Sequence, residues 1–183
     1  KIMHNKKKFI VSSFYKFVYL PEPKIIKNLF TKELSKLNVK GTFIIGNEGI
    51  NGSFSVKEHN FKKICKIIED LLSIKLKFKF QKSFNHSFLR LKIKLKNEIV
   101  TIGLKNINPQ KNTGKYLDPE SWEELIKSKD SIIIDTRNDY ESDVGSFKSS
   151  VESKTKNFRG FPAWIKKNEK KLKNRRIGMF CTG

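Results

Sequence analysis

Apolar and polar residues follow two different periods along the first hundred residues. Strict alternation over residues 75–80 and 89–96 predicts two strands, each with one apolar and one basic face. Residues 14–20 are rich in aromatic and β-branched side chains and stop at Pro21, which predicts a buried strand. A helix is predicted from there to Asn38, because apolar residues then recur with helical spacing.

Two more strands and a second helix complete this part of the chain. The strands are predicted at residues 39–45 and 50–55, and Ser55 with Glu58 forms a plausible capping box for the helix that follows. The order strand, helix, strand, strand, helix, strand is typical of a split βαβ domain. We therefore expect an α+β domain of ferredoxin-like or acylphosphatase-like form over residues 1–105.

The second half of the chain has the pattern of an α/β domain. Residues 106–115 lack periodicity and are predicted to be a linker, so that a second domain occupies residues 116–183. Its predicted elements are a helix opened by Asp118 and Pro119 and ending at Ile126, a buried parallel strand at 131–135, a helix at 162–172 and a strand at 176–180. The last strand places Cys181 at its carboxyl end, where ligands bind in open α/β sheets.

Composition favours a soluble globular protein and leaves a polyanionic partner as an open alternative. The net charge is +21 and the pI is near 10.0, which is typical of proteins that bind nucleic acid. Only five of the 39 basic residues are arginine, and Ile, Asn and Phe are also abundant, so AT-rich codons explain part of this charge. No apolar run approaches the roughly 20 residues that a membrane-spanning helix needs, and we expect a cytoplasmic protein.

The alternating segment at 89–96 is the first candidate for a nucleic-acid contact. Arg90, Lys92, Lys94 and Lys96 are predicted to form a row on one side of the strand, able to follow a phosphate backbone. The inward face of the same strand consists of four apolar residues: Leu89, Leu91, Ile93 and Leu95. The alternative is that lysines coat this face for solubility.

Cys181 is the candidate for chemistry. Backbone amides of the loop after a strand can stabilise a thiolate and bind an anionic adduct on its sulfur. Cys65 lies beside the apolar stripe of a helix and is interpreted as a small core residue. With two cysteines and three scattered histidines, no disulfide framework, metal site or cofactor is predicted, and each histidine is expected on the solvated surface.

The segment around Asp135 resembles the rhodanese signature. It reads Asp135-Thr-Arg-Asn-Asp-Tyr-Glu141, followed by Gly145 and Phe147. The resemblance implies that Asp135, Arg137 and Glu141 support the cysteine loop, to which Thr182 and Gly183 also belong. Ordinary ion pairs within a loop are the alternative interpretation.

A longer series of motifs resembles the bacterial tRNA uridine hydroxylase (TrhO) family. In chain order the motifs are Lys40-Gly-Thr, Glu48-Gly-Ile-Asn-Gly52, residues 92–101, Tyr116-Leu-Asp-Pro119 with Trp122, residues 135–141, Phe158-Arg159 with Phe161-Pro-Ala-Trp164, and Met179-Phe-Cys-Thr-Gly183. The resemblance implies an acylphosphatase-like domain followed by a rhodanese domain. It also implies oxygen-dependent 5-hydroxylation of the wobble uridine of tRNA, with molecular oxygen as co-substrate and Cys181 as nucleophile. Arg159 is a further candidate for a tRNA contact.

The chain departs from that family at several positions. Ser149 and Ser150 replace the usual Gly-Ala, and Gly160 replaces an acidic residue. The family's cysteine loop continues beyond Gly183, so we expect a fragment cut within the active-site loop and inactive by itself. The sequence makes no prediction of oligomeric state or electron source.

Two other functions are consistent with the same residues. A sulfurtransferase would carry sulfur on Cys181 as a persulfide, and a non-catalytic rhodanese-like domain would serve as a binding module. The intact cysteine disfavours the binding module.

Overall fold

The computed structural model describes residues 8–104, 107 and 113–181. The chain divides into two compact units, Lys1–Val100 and Thr101–Gly183. The predicted linker, residues 106–115, falls mostly outside the described residues, as do His4, Thr182 and Gly183. Within the described residues, no helix has the length and apolarity needed to cross a membrane.

The first unit is a five-stranded sheet with two helices. Its order is β4-β1-β3-β2-β5, and all neighbours are antiparallel except the β2–β5 pair. The elements are β1 (Phe9–Phe17), α1 (Pro23–Ser35), β2 (Lys40–Gly46), β3 (Gly49–Lys57), α2 (Phe61–Leu72), β4 (Lys79–Ser83) and β5 (Leu91–Leu95). The predicted split βαβ arrangement is therefore confirmed, with β5 added at one edge.

Both helices of this unit pack on one face of the sheet. Phe14, Phe43 and Phe54 lie on that face and are buried with Phe30 of α1 and Ile64 of α2. A Cβ at Gly52 would lie 2.7 Å from the Phe14 ring and 2.8 Å from that of Phe43, so only glycine allows these rings to close over β3. Burying large aromatic side chains supplies most of the stabilisation of a core of this size.

The second unit contains a three-stranded parallel sheet. Its order is β7-β6-β8, so β6 is central and β8 is an edge strand among the described residues. The elements are α3 (Pro119–Lys127), β6 (Ser131–Asp135), α4 (Asp139–Ser142), β7 (Ser150–Glu152), α5 (Phe161–Leu172) and β8 (Arg176–Phe180). A Cβ at Gly178 would lie 2.8 Å from the side chains of Ile133 and Leu125. Because glycine has no Cβ, α3 can pack tightly on β8.

Several predicted boundaries in the first unit were wrong. β1 spans Phe9–Phe17, whereas the strand was predicted at residues 14–20. α1 ends at Ser35 and not at Asn38, which has a positive φ of 51° and is therefore not helical. Residues 75–78 precede β4 and are not part of it. The two strand boundaries are set by tertiary pairing, of β1 with β3 and of β4 with β1, which alternation along one segment cannot reveal.

The predicted capping box was also wrong. Ser55 lies within β3, and α2 begins only at Phe61, after a short 3₁₀ helix at Glu58–Asn60. The Ser55 hydroxyl instead lies 2.9 Å from Nδ1 of His86, and Glu58 pairs with Lys82 at 2.7 Å. His86 is thus held against the sheet and is not the solvated surface residue that was expected.

Candidate functional site

Cys181 lies at the carboxyl edge of the second unit's sheet. It follows β8 directly and is exposed. The end of β8 is fixed by Thr136, whose backbone N–H and Oγ1 both donate to the Phe180 carbonyl, at 3.1 and 2.8 Å. The thiol therefore emerges beside the turn that follows β6, as the sequence had predicted for the carboxyl edge.

Asp135 is the centre of that turn. Its side chain is fully buried and accepts hydrogen bonds from the backbone N–H of Arg137 at 3.0 Å and from the guanidinium at 2.7–3.2 Å. The hydroxyls of Ser142 and Ser146 donate to Oδ2 at 3.2 and 2.7 Å. A buried carboxylate with this many donors is compensated for the loss of water.

The electrostatics of the pair follow from this geometry. Burial by itself would raise the pKa of Asp135, but hydrogen bonds from Arg137 and Ser146 outweigh it and hold that pKa well below its usual range. The same carboxylate raises the pKa of the Arg137 guanidinium. Arg137 also donates to the Gly145 carbonyl at 2.6 Å, so it ties the β6 turn to the segment before β7.

An aromatic cluster lies beside the cysteine. The ring of Phe180 contacts those of Phe147 and Trp122, with centroid distances of 4.9 and 6.3 Å. The Arg137 guanidinium carbon lies 5.5 Å from the centroid of the Phe180 ring. The residue before Cys181 is thus held from one side by aromatic contacts and from the other by the buried ion pair.

Glu141 and Arg159 have different surroundings. Glu141 accepts from the backbone and side chain of Asn138, at 3.2 and 2.9 Å, and so caps the short helix α4. Arg159 is exposed in a 3₁₀ helix, and its aliphatic stem lies beside Gly103.

The basic row of the first unit is shorter than predicted. Lys92 and Lys94 are exposed on β5, whereas Arg90 and Lys96 are exposed just outside it. Leu89 is 95% exposed and Leu95 is 39% exposed, so the expectation that both face inward was wrong. Of these four apolar residues only Leu91 and Ile93 pack against the core, on the inner face of β5, which pairs with β2 from Leu91 to Leu95.

Comparison with known proteins identifies the family. Residues 9–99 match the family described as UPF0176 acylphosphatase like domain. The chain is 39% identical to the tRNA uridine(34) hydroxylase of Rickettsia massiliae (strain Mtu5) over 183 residues, which cover 96% of this chain and 72% of that protein. It is 38% identical to the protein of the same name from Prochlorococcus marinus (strain NATL2A), over 97% of this chain and 58% of that protein.

The chain belongs to the tRNA uridine(34) hydroxylase family. The resemblance inferred from the ordered motifs is confirmed, as is the acylphosphatase-like form of the first unit. The motif Glu48–Gly52 has a structural role. The Glu48 carboxylate accepts a hydrogen bond from the Ile99 N–H at 2.6 Å, and the Asn51 amide donates one to the Ile99 carbonyl at 3.0 Å. These two residues hold the segment after β5 on the sheet of this hydroxylase-family protein.

Sequence reasoning missed the groups that surround Asp135 and Cys181. Ser142 and Ser146 carry no motif, and their role appears only when the chain folds back on β6. The spacing of Trp122, Phe147 and Phe180 gives no hint that their rings meet. Within the part of the chain that the structure describes, no group of three or more His, Cys, Asp or Glu side chains could hold a metal ion.

Proposed function

We propose that this protein hydroxylates carbon 5 of the uridine at position 34 of tRNA, the wobble position, in the cytoplasm and with molecular oxygen as co-substrate. The observation that carries the proposal is identity of 38–40% along nearly the whole chain with proteins named tRNA uridine(34) hydroxylase. These names favour hydroxylation over sulfur transfer through a persulfide on Cys181.

The second unit is proposed to be a rhodanese-type domain with Cys181 as its nucleophile. Support comes from the parallel sheet, the position of the thiol at its carboxyl edge and the Asp135–Arg137 pair in the adjacent turn. The exposure of Cys181 allows a group as large as a nucleotide to reach the sulfur. Thr182 and Gly183, which follow the thiol in the sequence, are proposed to belong to its loop.

The residues around the thiol are proposed to position it. Thr136 fixes the Phe180 carbonyl, and the Asp135–Arg137 pair fixes the turn that carries Thr136. A thiol on a fixed strand end loses little conformational freedom when it reacts, which lowers the barrier of a nucleophilic step. Glu141 contributes one step further away, by capping α4.

Binding of tRNA is proposed to use the exposed cations of the first unit. Lys92 and Lys94, here called the β5 lysine pair, lie on one face of an edge strand, with Arg90 and Lys96 at its two ends. Arg159 of the second unit is a further proposed contact. Lys62 and Lys63, here called the α2 lysine pair, are equally exposed and serve as a matched control for net charge.

The proposal is tested in a strain that lacks the gene, by mass spectrometry of tRNA nucleosides. We expect the full-length gene to restore 5-hydroxyuridine at position 34 and Cys181→Ser to abolish it, whereas Cys65→Ser, which alters a half-buried thiol of α2, leaves it intact. Undiminished 5-hydroxyuridine with Cys181→Ser would remove Cys181 from the chemistry. Restoration of a thiolated nucleoside in place of the hydroxylated one would establish the sulfurtransferase alternative.

A further inference from the structure

The face of the first unit's sheet opposite the helices carries a continuous row of polar side chains. The strand register aligns five residues across all five strands, one from each: Lys79, Ser13, Ser53, Thr42 and Lys92. Register partners point to the same side of a sheet, and their chain neighbours, such as Phe14 and Phe43, point into the core. We call this set the hydroxyl row.

The three hydroxyls of the row are not used by any other residue that the structure describes. Ser13, Ser53 and Thr42 are half-buried, and within the described ranges their side chains make no hydrogen bond. Other hydroxyls of the same sheet are used internally, because Ser12 Oγ donates to the Lys79 carbonyl at 2.9 Å and Ser55 Oγ bonds to His86. The hydroxyl row is therefore a line of donors and acceptors that faces outward.

Loops border the hydroxyl row on both sides. On β3, Ser55 lies two residues after Ser53 and forms a hydrogen bond with His86. Asn51 lies two residues before Ser53 and donates a hydrogen bond to the Ile99 carbonyl. At about 3.4 Å per residue, these two anchor points lie about 14 Å apart along the strand, with the row midway. We call the strip of sheet between these two anchor points, with the hydroxyl row midway along it, the trough.

The trough is positively charged. Lysines stand at both ends of the hydroxyl row, and Lys40 and Lys94 occupy the adjacent cross-strand positions on the same face. None of these four lysines forms a salt bridge with a carboxylate among the described residues. The pKa of His86 responds to this environment, since burial and then the charge of Lys40 lower it.

We infer that this trough binds a single-stranded segment of the tRNA substrate, with phosphates at the lysines and bases or ribose hydroxyls at the hydroxyl row. The inference rests on the proposed function. An unpaired strand exposes base edges and 2′-hydroxyls to hydrogen-bonding side chains, and the open face of a split βαβ sheet is broad enough to lay it flat. Tyr15, 37% exposed on the same face, provides a ring on which a base can stack.

The test compares two RNA probes and two matched double variants. The probes are a hairpin with the sequence of the anticodon arm and a fully paired duplex with the same number of nucleotides. The row variant is Ser13→Ala with Ser53→Ala, and the control is Thr31→Ala with Ser35→Ala, which removes two exposed hydroxyls from α1 on the other side of the sheet. Dissociation constants are measured with the full-length protein at one salt concentration.

We expect the row variant to bind the hairpin about tenfold more weakly and the duplex as wild type does, because two neutral hydrogen bonds are lost with the unpaired strand only. The control should bind both probes within twofold of wild type. Thr42→Val, which keeps the side-chain shape, should repeat the loss for the hairpin by about threefold and guards against misfolding of the double variant.

The inference is overturned if the row variant binds the hairpin as wild type does, or if hairpin and duplex lose affinity equally. Displacement of the hairpin by polyglutamate at equal concentrations of charge would also overturn it, since the trough would then bind acidic chains of any kind. Failure of the proposed function is a separate result, recognised by wild-type protein that binds the hairpin but does not restore 5-hydroxyuridine in cells.

Discussion

Replacing Asp135 by asparagine tests whether the buried ion pair holds the strand end that carries Cys181. The substitution keeps the side-chain shape but removes the charge that faces Arg137, and it replaces one acceptor oxygen by a donor. The Asp135 side chain is 0% exposed and that of Arg137 is 19% exposed, so the unpaired guanidinium would stay largely out of water. Breaking a buried ion pair from one side costs about 3–5 kcal/mol, and partial exposure favours the lower end of that range.

Unfolding is best followed by tryptophan fluorescence, because both tryptophans, Trp122 and Trp164, belong to the second unit. A loss of about 3 kcal/mol in a unit of this size lowers its melting temperature by about 12–24 °C. Asp143→Asn is the control, since it removes the same charge from an exposed position after α4 and should change the free energy of unfolding by less than about 0.5 kcal/mol.

The lowered pKa of Asp135 determines how the difference in stability between wild type and Asp135→Asn changes with pH. Because the folded-state pKa of Asp135 lies below its usual value, the ion pair stabilises the fold above the unfolded-state pKa of about 3.9, and this contribution is lost as the pH falls toward the folded-state pKa. The difference between wild type and Asp135→Asn is therefore complete at pH 7 and narrows below about pH 4. A difference under 0.5 kcal/mol at pH 7, or one that is constant down to acid pH, would refute the reasoning.

Three other parts of the molecule give independent outcomes. Charge reversal of the β5 lysine pair should weaken tRNA binding and flatten the plot of log affinity against log salt by about 1.4–1.8 units, and an equal effect of reversing the α2 lysine pair would show that neither is a dedicated contact. In urea unfolding, the free energy of unfolding of wild type should fall more between pH 7 and pH 5 than that of His86→Gln. The reason is that the pKa of His86 is lowered in the folded protein, so the unfolded chain takes up the proton first, and equal losses would contradict this. At pH 8, peptide mapping should find iodoacetamide on Cys181 before Cys65, because burial raises the pKa of the Cys65 thiol to about 11, and faster labelling of Cys65 would be inconsistent with its burial.

Much of the architecture could be predicted because local patterns and tertiary structure agree. The cap of α3 is one case, since the Asp118 side chain accepts from the Ser121 N–H at 2.8 Å as its position before Pro119 had indicated. The short apolar run at β6 is another, because a central parallel strand is buried on both faces.

The errors arose where sequence pattern and pairing disagree. The alternation from Leu89 to Lys96 is regular, but β2 offers partners only from Gly41 to Ile45, so the strand stops short at both ends. β7 was not predicted, since its three residues form a strand only by pairing with β6. Small hydroxyls such as Ser53 and Ser146 have no characteristic spacing, and their significance depends on which strand lies beside them.

The separation of the two sheets along the chain has a consequence for biosynthesis. Every strand of the five-stranded sheet precedes residue 96, and every strand of the three-stranded sheet follows residue 130. At about 5–20 residues per second, the ribosome needs about 4–16 s to add the residues between Val100 and Cys181. The first sheet can therefore close before β8 exists. Cys181 reaches the Asp135 turn only after β8 has been translated, so this thiol site is the last of the described features to assemble.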